Sequence, residues 1–197
     1  MRKLHLFVLP ALLLALALGL AACGGGGESD EDKVVNAIET AATSTDPAVC
    51  NETETLKFME QTTSGTGKAA EKECEEEAKN GESNPDSVDV SKVAVNGGNA
   101  TADAAFEGGT FDGQTLELAL VEEDGEWKLD ELSGFAKFDS ESLIQSFAEQ
   151  LEEEPEIEPQ VASCIVEGME ELPKGELEGL VIENNTEPIV EIAEGCE

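Results

Sequence analysis

The spacing of apolar residues along the chain changes from helical to strand-like near the middle. Between residues 33 and 80 apolar side chains recur every three or four positions, starting with Val34 and Ile38, which predicts two or three helices. Asp46-Pro47 is typical of a helix start and Asn80-Gly81 of a helix end. We therefore expect the N-terminal part of the fold to be helical.

From Val88 to Leu129 apolar and polar residues alternate, which is the period of a half-buried strand. Asn96-Gly97-Gly98-Asn99, Asp112-Gly113 and Asp124-Gly125 separate four such runs, and Asn-Gly and Asp-Gly pairs favour hairpin turns. The alternation slips at Ser91-Lys92, where we expect a bulge or twist. The pattern predicts a four-stranded antiparallel meander.

Beyond Phe138 the apolar spacing becomes helical again. Asp139-Ser140 is typical of a helix start, residues 152–159 form an acidic linker broken by proline, and three shorter helices are expected before Cys196. The fold class expected is α+β: helices packed on a bent four-stranded antiparallel sheet in residues 33–138. A small helical subdomain then occupies residues 139–197.

The first residues have the layout of an export signal. Arg2-Lys3 precedes a run of apolar residues from Leu4 to Leu20, and small residues follow before Cys23. An uncleaved transmembrane anchor is the alternative, but the 17 residues from Leu6 to Ala22 are few for a bilayer and include a proline. A cleaved signal is therefore favoured.

The run Leu20-Ala21-Ala22-Cys23 resembles the lipobox of bacterial lipoproteins. The resemblance implies that the Cys23 sulfur carries a diacylglyceryl group and that cleavage makes this cysteine the N-terminus. We then expect residues 1–22 to be a signal peptide and residues 23–32 a lipidated flexible tether. The protein would be extracytoplasmic and anchored to a bacterial membrane through several acyl chains such as palmitate.

Acidic residues dominate the composition, with 45 Asp and Glu against 11 Lys and Arg and a formal charge of −34. Loss of residues 1–22 would leave nine lysines, no arginine and a formal charge of −36. Such a chain cannot neutralise phosphates, so nucleic acid is excluded as a partner, and an anionic membrane surface would repel it. A solvated surface is the favoured interpretation, with loose divalent-cation binding or a cationic protein partner as alternatives.

Five cysteines are present, and the lipobox accounts for Cys23. The other four lie in an exported protein, where disulfides form, and four cysteines allow three connectivities. Cys50 and Cys74 both fall in the N-terminal helices, and Cys164 and Cys196 in the C-terminal ones, which favours pairing within each part. A zinc site is disfavoured because no C-x-x-C occurs and the only histidine belongs to the signal.

The segment Asp124–Leu129 places a turn, a tryptophan and a lysine at the end of the sheet, after helices with a cysteine pair. This arrangement resembles the nuclear-transport-factor-2-like cone fold over about residues 33–135. The resemblance implies a sheet curled around helices, often with a pocket. Candidate lining residues are Phe58, Phe106, Phe111, Leu118 and Trp127. The alternative is that these side chains pack the core, where large apolar and aromatic residues usually lie.

Catalysis has few candidate residues, because the chain after residue 22 has no His, Arg or Tyr. No nucleophile–histidine pair is possible, and a buried carboxyl is the acid/base group that remains. We assign no catalytic residue, cofactor or metal. The expected function is a non-enzymatic, lipid-anchored module that binds a protein or small molecule. The alternatives are a carboxylate-dependent isomerase or dehydratase and an acidic cation-binding surface protein.

Overall fold

A computed structural model describes residues 28–81, 84–153 and 157–196. The predicted signal peptide and Cys23 lie outside the described residues. Helices and strands follow in the order α1 Asp30–Thr43, α2 Val49–Thr53, α3 Leu56–Thr62, α4 Lys68–Asn80, β1 Ser87–Asn96, β2 Asn99–Glu107, β3 Thr115–Glu123, β4 Glu126–Lys137, α5 Ser140–Glu153, α6 Pro159–Glu170, α7 Lys174–Ile182 and α8 Glu187–Cys196. The predicted α+β class, with helices on a four-stranded antiparallel sheet, is confirmed.

The α2 helix begins later than Asp46-Pro47 predicts, and the α1 helix includes the end of the predicted tether. The α1 helix begins at Asp30, because the Ser29 side chain accepts a hydrogen bond from the Asp32 amide and Asp32 accepts one from the Ser29 amide. The last three residues of the predicted tether therefore lie in its first turn. The α2 helix begins at Val49, two residues after Pro47, since the Asp46 side chain accepts from the Ala48 amide and holds a turn there.

The sheet is a meander with the strand order β1-β2-β3-β4. The predicted turn at Asp124-Gly125 is a two-residue hairpin with φ of 54° and 90°, the geometry that favours this dipeptide. The prediction of a tight turn at Asp112-Gly113 is wrong, because the connection runs from residue 108 to 114. The Asp112 carboxylate accepts from the Gly108 amide at 2.6 Å and closes this longer loop.

The predicted irregularity in β1 is confirmed, because the pairing with β2 slips between Ser91 and Ala94. Lys92 within it has a φ of 52°, which is unusual for a residue other than glycine. Its Nζ lies 2.6 Å from Asp103, which faces Glu117 on the neighbouring strand. Like charges opposite each other destabilise a sheet, so the bulge places an ammonium group where it offsets that repulsion.

The α1 helix packs mainly against β1 and β4, the two edge strands, so the sheet curves around the helix. Apolar residues of α1 and of one sheet face form the main core. Its buried members are Val34, Ala37, Ile38, Ala100, Ala102, Ala104, Phe106, Leu116, Leu118, Leu120, Trp127, Leu129 and Leu132. Because β2 contributes three alanines beside Phe106, larger side chains from α1, β3 and β4 pack against the alanines beneath the sheet.

Both expected cysteine pairs are confirmed. The Cys50–Cys74 disulfide joins α2 to α4 with Cα atoms 6.1 Å apart. The Cys164–Cys196 disulfide joins α6 to α8 with Cα atoms 5.8 Å apart. Each bond therefore closes a loop within one helical part of the chain.

Two glutamines attach the C-terminal helices to the rest of the fold. Gln61 accepts a hydrogen bond from the Leu132 amide and donates to the carbonyls of Leu132 and Ile182, each at 2.8 Å. Gln114, which is 1% exposed, bonds both the amide and the carbonyl of Asp139. The helical part that begins at residue 139 is therefore bonded to α3 through Gln61 and to the residue before β3 through Gln114, and Asn184 also donates to the Thr63 carbonyl at 2.6 Å.

Substituting Gly168 by Ala should destabilise the protein, because α6 and α8 approach closely at this glycine. A Cβ there would clash with Cγ2 of Ile192, whose β-branched side chain has little rotational freedom in a helix. We expect a loss of about 1–3 kcal/mol in the free energy of unfolding, measured with urea.

The control is Gly179→Ala in α7, where the nearest atom to a new Cβ is 4.0 Å away. It should stabilise the protein by roughly 0.5–1 kcal/mol, because alanine favours helix more than glycine does. Equal effects of the two substitutions would contradict the close approach of α6 and α8.

Candidate functional site

The structure places the five predicted pocket residues in one cluster, in the packed core. Phe106, Leu118 and Trp127 are buried between α1 and the sheet. Phe58 and Phe111 pack against them, and the rings of Phe106 and Phe111 meet edge to face at 5.8 Å. In the part of the chain that the structure describes, these five side chains therefore take part in the core packing between α1 and the sheet.

Trp127 also lines a surface cleft of about 400 Å³ between α1 and the β3–β4 turn. Its indole Nε1 is buried and has no hydrogen-bond partner among the described residues. The remaining lining residues are Glu28, Lys33, Asn36, Ala37, Thr40, Glu52, Thr53, Gly125 and Glu126. We call this site the Trp127 cleft. An unpaired buried donor costs about 1–3 kcal/mol. A ligand oxygen that accepted a hydrogen bond from Nε1 would therefore stabilise the ligand-bound protein.

Carboxylates outnumber cations in the Trp127 cleft. Lys33 is its only ammonium group among the described lining residues, against Glu28, Glu52 and Glu126. Lys33 Nζ lies 2.8 Å from Asp30, and this hydrogen bond raises the pKa of Lys33. The cleft therefore favours a neutral or cationic molecule with hydrogen-bonding groups over an anion.

A second site lies at the corner where the Cys50–Cys74 disulfide joins α2 to α4. It is a cavity of about 120 Å³, which we call the Glu54 cavity. Its lining residues are Ala41, Ser44, Val49, Cys50, Glu54, Cys74, Glu77, Ala78 and Asn84. Oε2 of the half-buried Glu54 lies 3.5 Å from Cys74 Sγ. Because a disulfide sulfur carries no hydrogen, only a protonated Glu54 can donate in this contact.

Burial raises the pKa of the Glu54 carboxyl to about 7, and the negative charge of Glu77 acts in the same direction. The pKa of Glu77 is also raised, first by partial burial and then by the charge of Glu73. No lysine lines the Glu54 cavity among the residues that the structure describes. Glu54 is therefore an acid that changes its charge near neutral pH.

The backbone explains why Glu54 points into this corner. Glu54 follows the last residue of α2 in an extended conformation, with φ of −129° and ψ of 147°. It forms a bridge with Leu129 of β4, and the Thr55 amide donates to the Leu129 carbonyl at 2.8 Å. The sequence pattern alone does not single out Glu54, because it is one acid among 45. Its position four residues after Cys50 is the one feature of the sequence that could have placed it near the disulfide.

A third concavity of about 550 Å³ lies between α5 and α6 and is mostly apolar. It is lined by Ala148, Leu151, Ile157, Pro159, Ala162, Ser163, Val166 and Glu167. Within residues 28–81, 84–153 and 157–196, no three His, Cys, Asp or Glu side chains gather as metal ligands would. None of the helices in these ranges has both the length and the apolar character needed to cross a bilayer.

The chain was compared with models of protein families, with curated proteins and with solved structures. None of these comparisons gave a match. A function is therefore inferred from the chain's own residues and from the geometry of its two polar sites.

Replacing Glu54 by Gln should change how stability depends on pH. The folded-state pKa of about 7 exceeds the ordinary value of 4.5, so the folded protein binds this proton more tightly than the unfolded chain does. The stabilising contribution is complete below pH 4.5 and is lost as the pH rises to about 7. At pH 8 Glu54→Gln should be the more stable protein by up to about 3 kcal/mol, with little difference at pH 4.5.

The measurement is the free energy of urea unfolding at several pH values. Glu75→Gln is the control, because Glu75 lies on the same helix as Glu77 but does not line the Glu54 cavity. The wild type and Glu75→Gln should keep the same pH dependence. If Glu54→Gln also keeps it, Glu54 does not carry the raised pKa.

Proposed function

We propose that the protein is a lipid-anchored, extracytoplasmic module that binds a protein or a small molecule at the bacterial cell envelope and catalyses no reaction. The observation that carries the proposal is the short distance along the chain between the lipobox cysteine and the folded body. Ser29 caps α1 only six residues after Cys23, and four of the intervening residues are glycines. A lipid on Cys23 would hold this body at a membrane surface.

The Trp127 cleft would lie near that membrane. Glu28 lines the cleft and is five residues from Cys23. Five residues of fully extended chain reach at most about 18 Å. A volume of about 400 Å³ is in the range of small-molecule sites. These features support the cleft as the place where a neutral or cationic ligand binds.

The curvature of the sheet around α1 supports a place in the nuclear-transport-factor-2-like group, which the Asp124–Leu129 segment suggested. Proteins with this fold include enzymes, so the fold alone does not separate binding from catalysis. The packing of Phe106, Leu118 and Trp127 between α1 and the sheet supports binding at the surface over chemistry inside the cone. The missing His, Arg and Tyr after residue 22 support the same conclusion.

A carboxylate-dependent enzyme is the second candidate, and the raised pKa of Glu54 favours it. The Glu54 cavity, however, has a volume of about 120 Å³, which is below the 300 Å³ or so of the smallest usual ligand pockets. It also lies at a helix corner that the disulfide closes. We therefore rank binding above catalysis.

Replacing Cys23 by Ser should release the protein from membranes. The wild type should partition into the detergent phase and incorporate labelled palmitate, because lipid on this sulfur is the proposed anchor. The variant should do neither. Membrane fractionation and mass spectrometry of the N-terminus make the measurement.

The matched control is the double variant Cys50→Ser, Cys74→Ser, which removes two other sulfurs and should keep both the label and the membrane attachment. Label that persists in Cys23→Ser would contradict the anchor. So would a wild-type protein whose mass corresponds to an intact, unmodified precursor.

A further inference from the structure

We propose that Glu54 is a proton-operated latch for the corner formed by α2 and α4. The corner is closed while Glu54 is protonated and opens locally when Glu54 loses its proton. Glu54 connects three elements: it ends α2, its backbone bridges to Leu129 in β4, and its side chain contacts Cys74 in α4. A change in its charge therefore acts where all three meet.

The contact with α4 depends on the proton. With the proton present, the Glu54 carboxyl can donate to Cys74 Sγ at 3.5 Å. Without it, a carboxylate oxygen faces the lone pairs of a sulfur, and Glu77 on α4 adds a second negative charge. The described residues that α1, α2 and the loop before β1 contribute to the lining are uncharged: Ala41, Ser44, Val49, Cys50 and Asn84. Ionised Glu54 is thus stabilised by leaving the cavity for solvent.

The corner has little apolar packing to resist this movement. Its buried cluster consists of Val49, Cys50, Met59 and Ala70, and it is separate from the main core under the sheet. Regions with few buried apolar contacts open at a lower free energy than the whole fold. The Cys50–Cys74 disulfide keeps α2 attached to α4, so the opening is limited to this corner.

The Glu54 cavity and the Trp127 cleft are both lined by residues of α2. Glu52 and Thr53 of α2 line that cleft, while Val49 and Cys50 of the same helix line the Glu54 cavity. A movement of α2 therefore changes one wall of the cleft. This effect on a ligand rests on the proposed function, whereas the latch itself does not.

Amide hydrogen exchange between pH 5 and 8 tests the latch in the full chain. After correction for the intrinsic exchange rates, protection in α2 and α4 should fall about tenfold per pH unit up to pH 7 and then level off. The amides of α6 and α8 are the internal reference, because a disulfide joins these helices as well. Equal loss of protection in both regions would mean global unfolding and would overturn the proposal.

Three variants assign the effect to Glu54. Glu54→Gln should keep protection in α2 and α4 high at every pH, because its amide is neutral throughout. Glu77→Gln should move the fall to lower pH, and Glu75→Gln should behave as the wild type. The same pH-dependent fall in Glu54→Gln would overturn the latch.

Carbon NMR of the wild-type carboxyl groups tests the proposal without any variant. The Glu54 carboxyl should titrate near pH 7, in step with the loss of protection in α2 and α4. A midpoint near 4.5 for Glu54 would overturn the latch even if every variant failed to fold. Neither result depends on Cys23, so failure of the latch leaves the proposed membrane anchor standing.

Discussion

Burial of one face of α1 against the curved sheet is the interaction on which the rest of the fold depends. Val34 and Ile38 reach the centre of the main core, and they are 0% and 1% exposed. Side chains of this size each contribute about 1.5–3 kcal/mol when buried. Both polar sites follow from this placement, because α1 forms one wall of the Trp127 cleft and one wall of the Glu54 cavity.

Away from α1 the fold relies on disulfides and on side-chain hydrogen bonds. The α2–α4 corner and the C-terminal helices have smaller apolar clusters, and each contains a disulfide that should contribute on the order of 3–4 kcal/mol by restricting the unfolded chain. Gln61 and Gln114 add directional bonds between the two parts of the chain. Covalent and hydrogen-bonded links thus hold regions that hydrophobic burial alone holds weakly, including the α2–α4 corner near Glu54.

The sequence predicts features that depend on local chemistry. The hairpin at Asp124-Gly125 and the slip at Ser91-Lys92 follow from residue type and spacing, and the structure confirms them. The grouping of the cysteines within the two helical parts favours one of three connectivities, and the structure confirms it. Features that depend on contacts distant in sequence were missed. Asp112-Gly113 has hairpin residues, yet its carboxylate bonds back to Gly108 and closes a longer loop. The sequence does not distinguish Glu54 from its acidic neighbours, because its environment depends on β4 and α4.

Glu54 differs from the solvated acids of this chain because its carboxyl is partly removed from water. Carboxylates on a solvated surface repel one another weakly at physiological salt, so most of the 45 affect solubility more than folding. A carboxyl taken out of water beside another acid costs stability whenever it is charged. A glutamine at the same position would fill the same space without that cost. Among the described residues, burial raises the pKa of the Glu54 carboxyl to about 7, at a corner that shares α2 with the cleft nearest to the proposed lipid anchor.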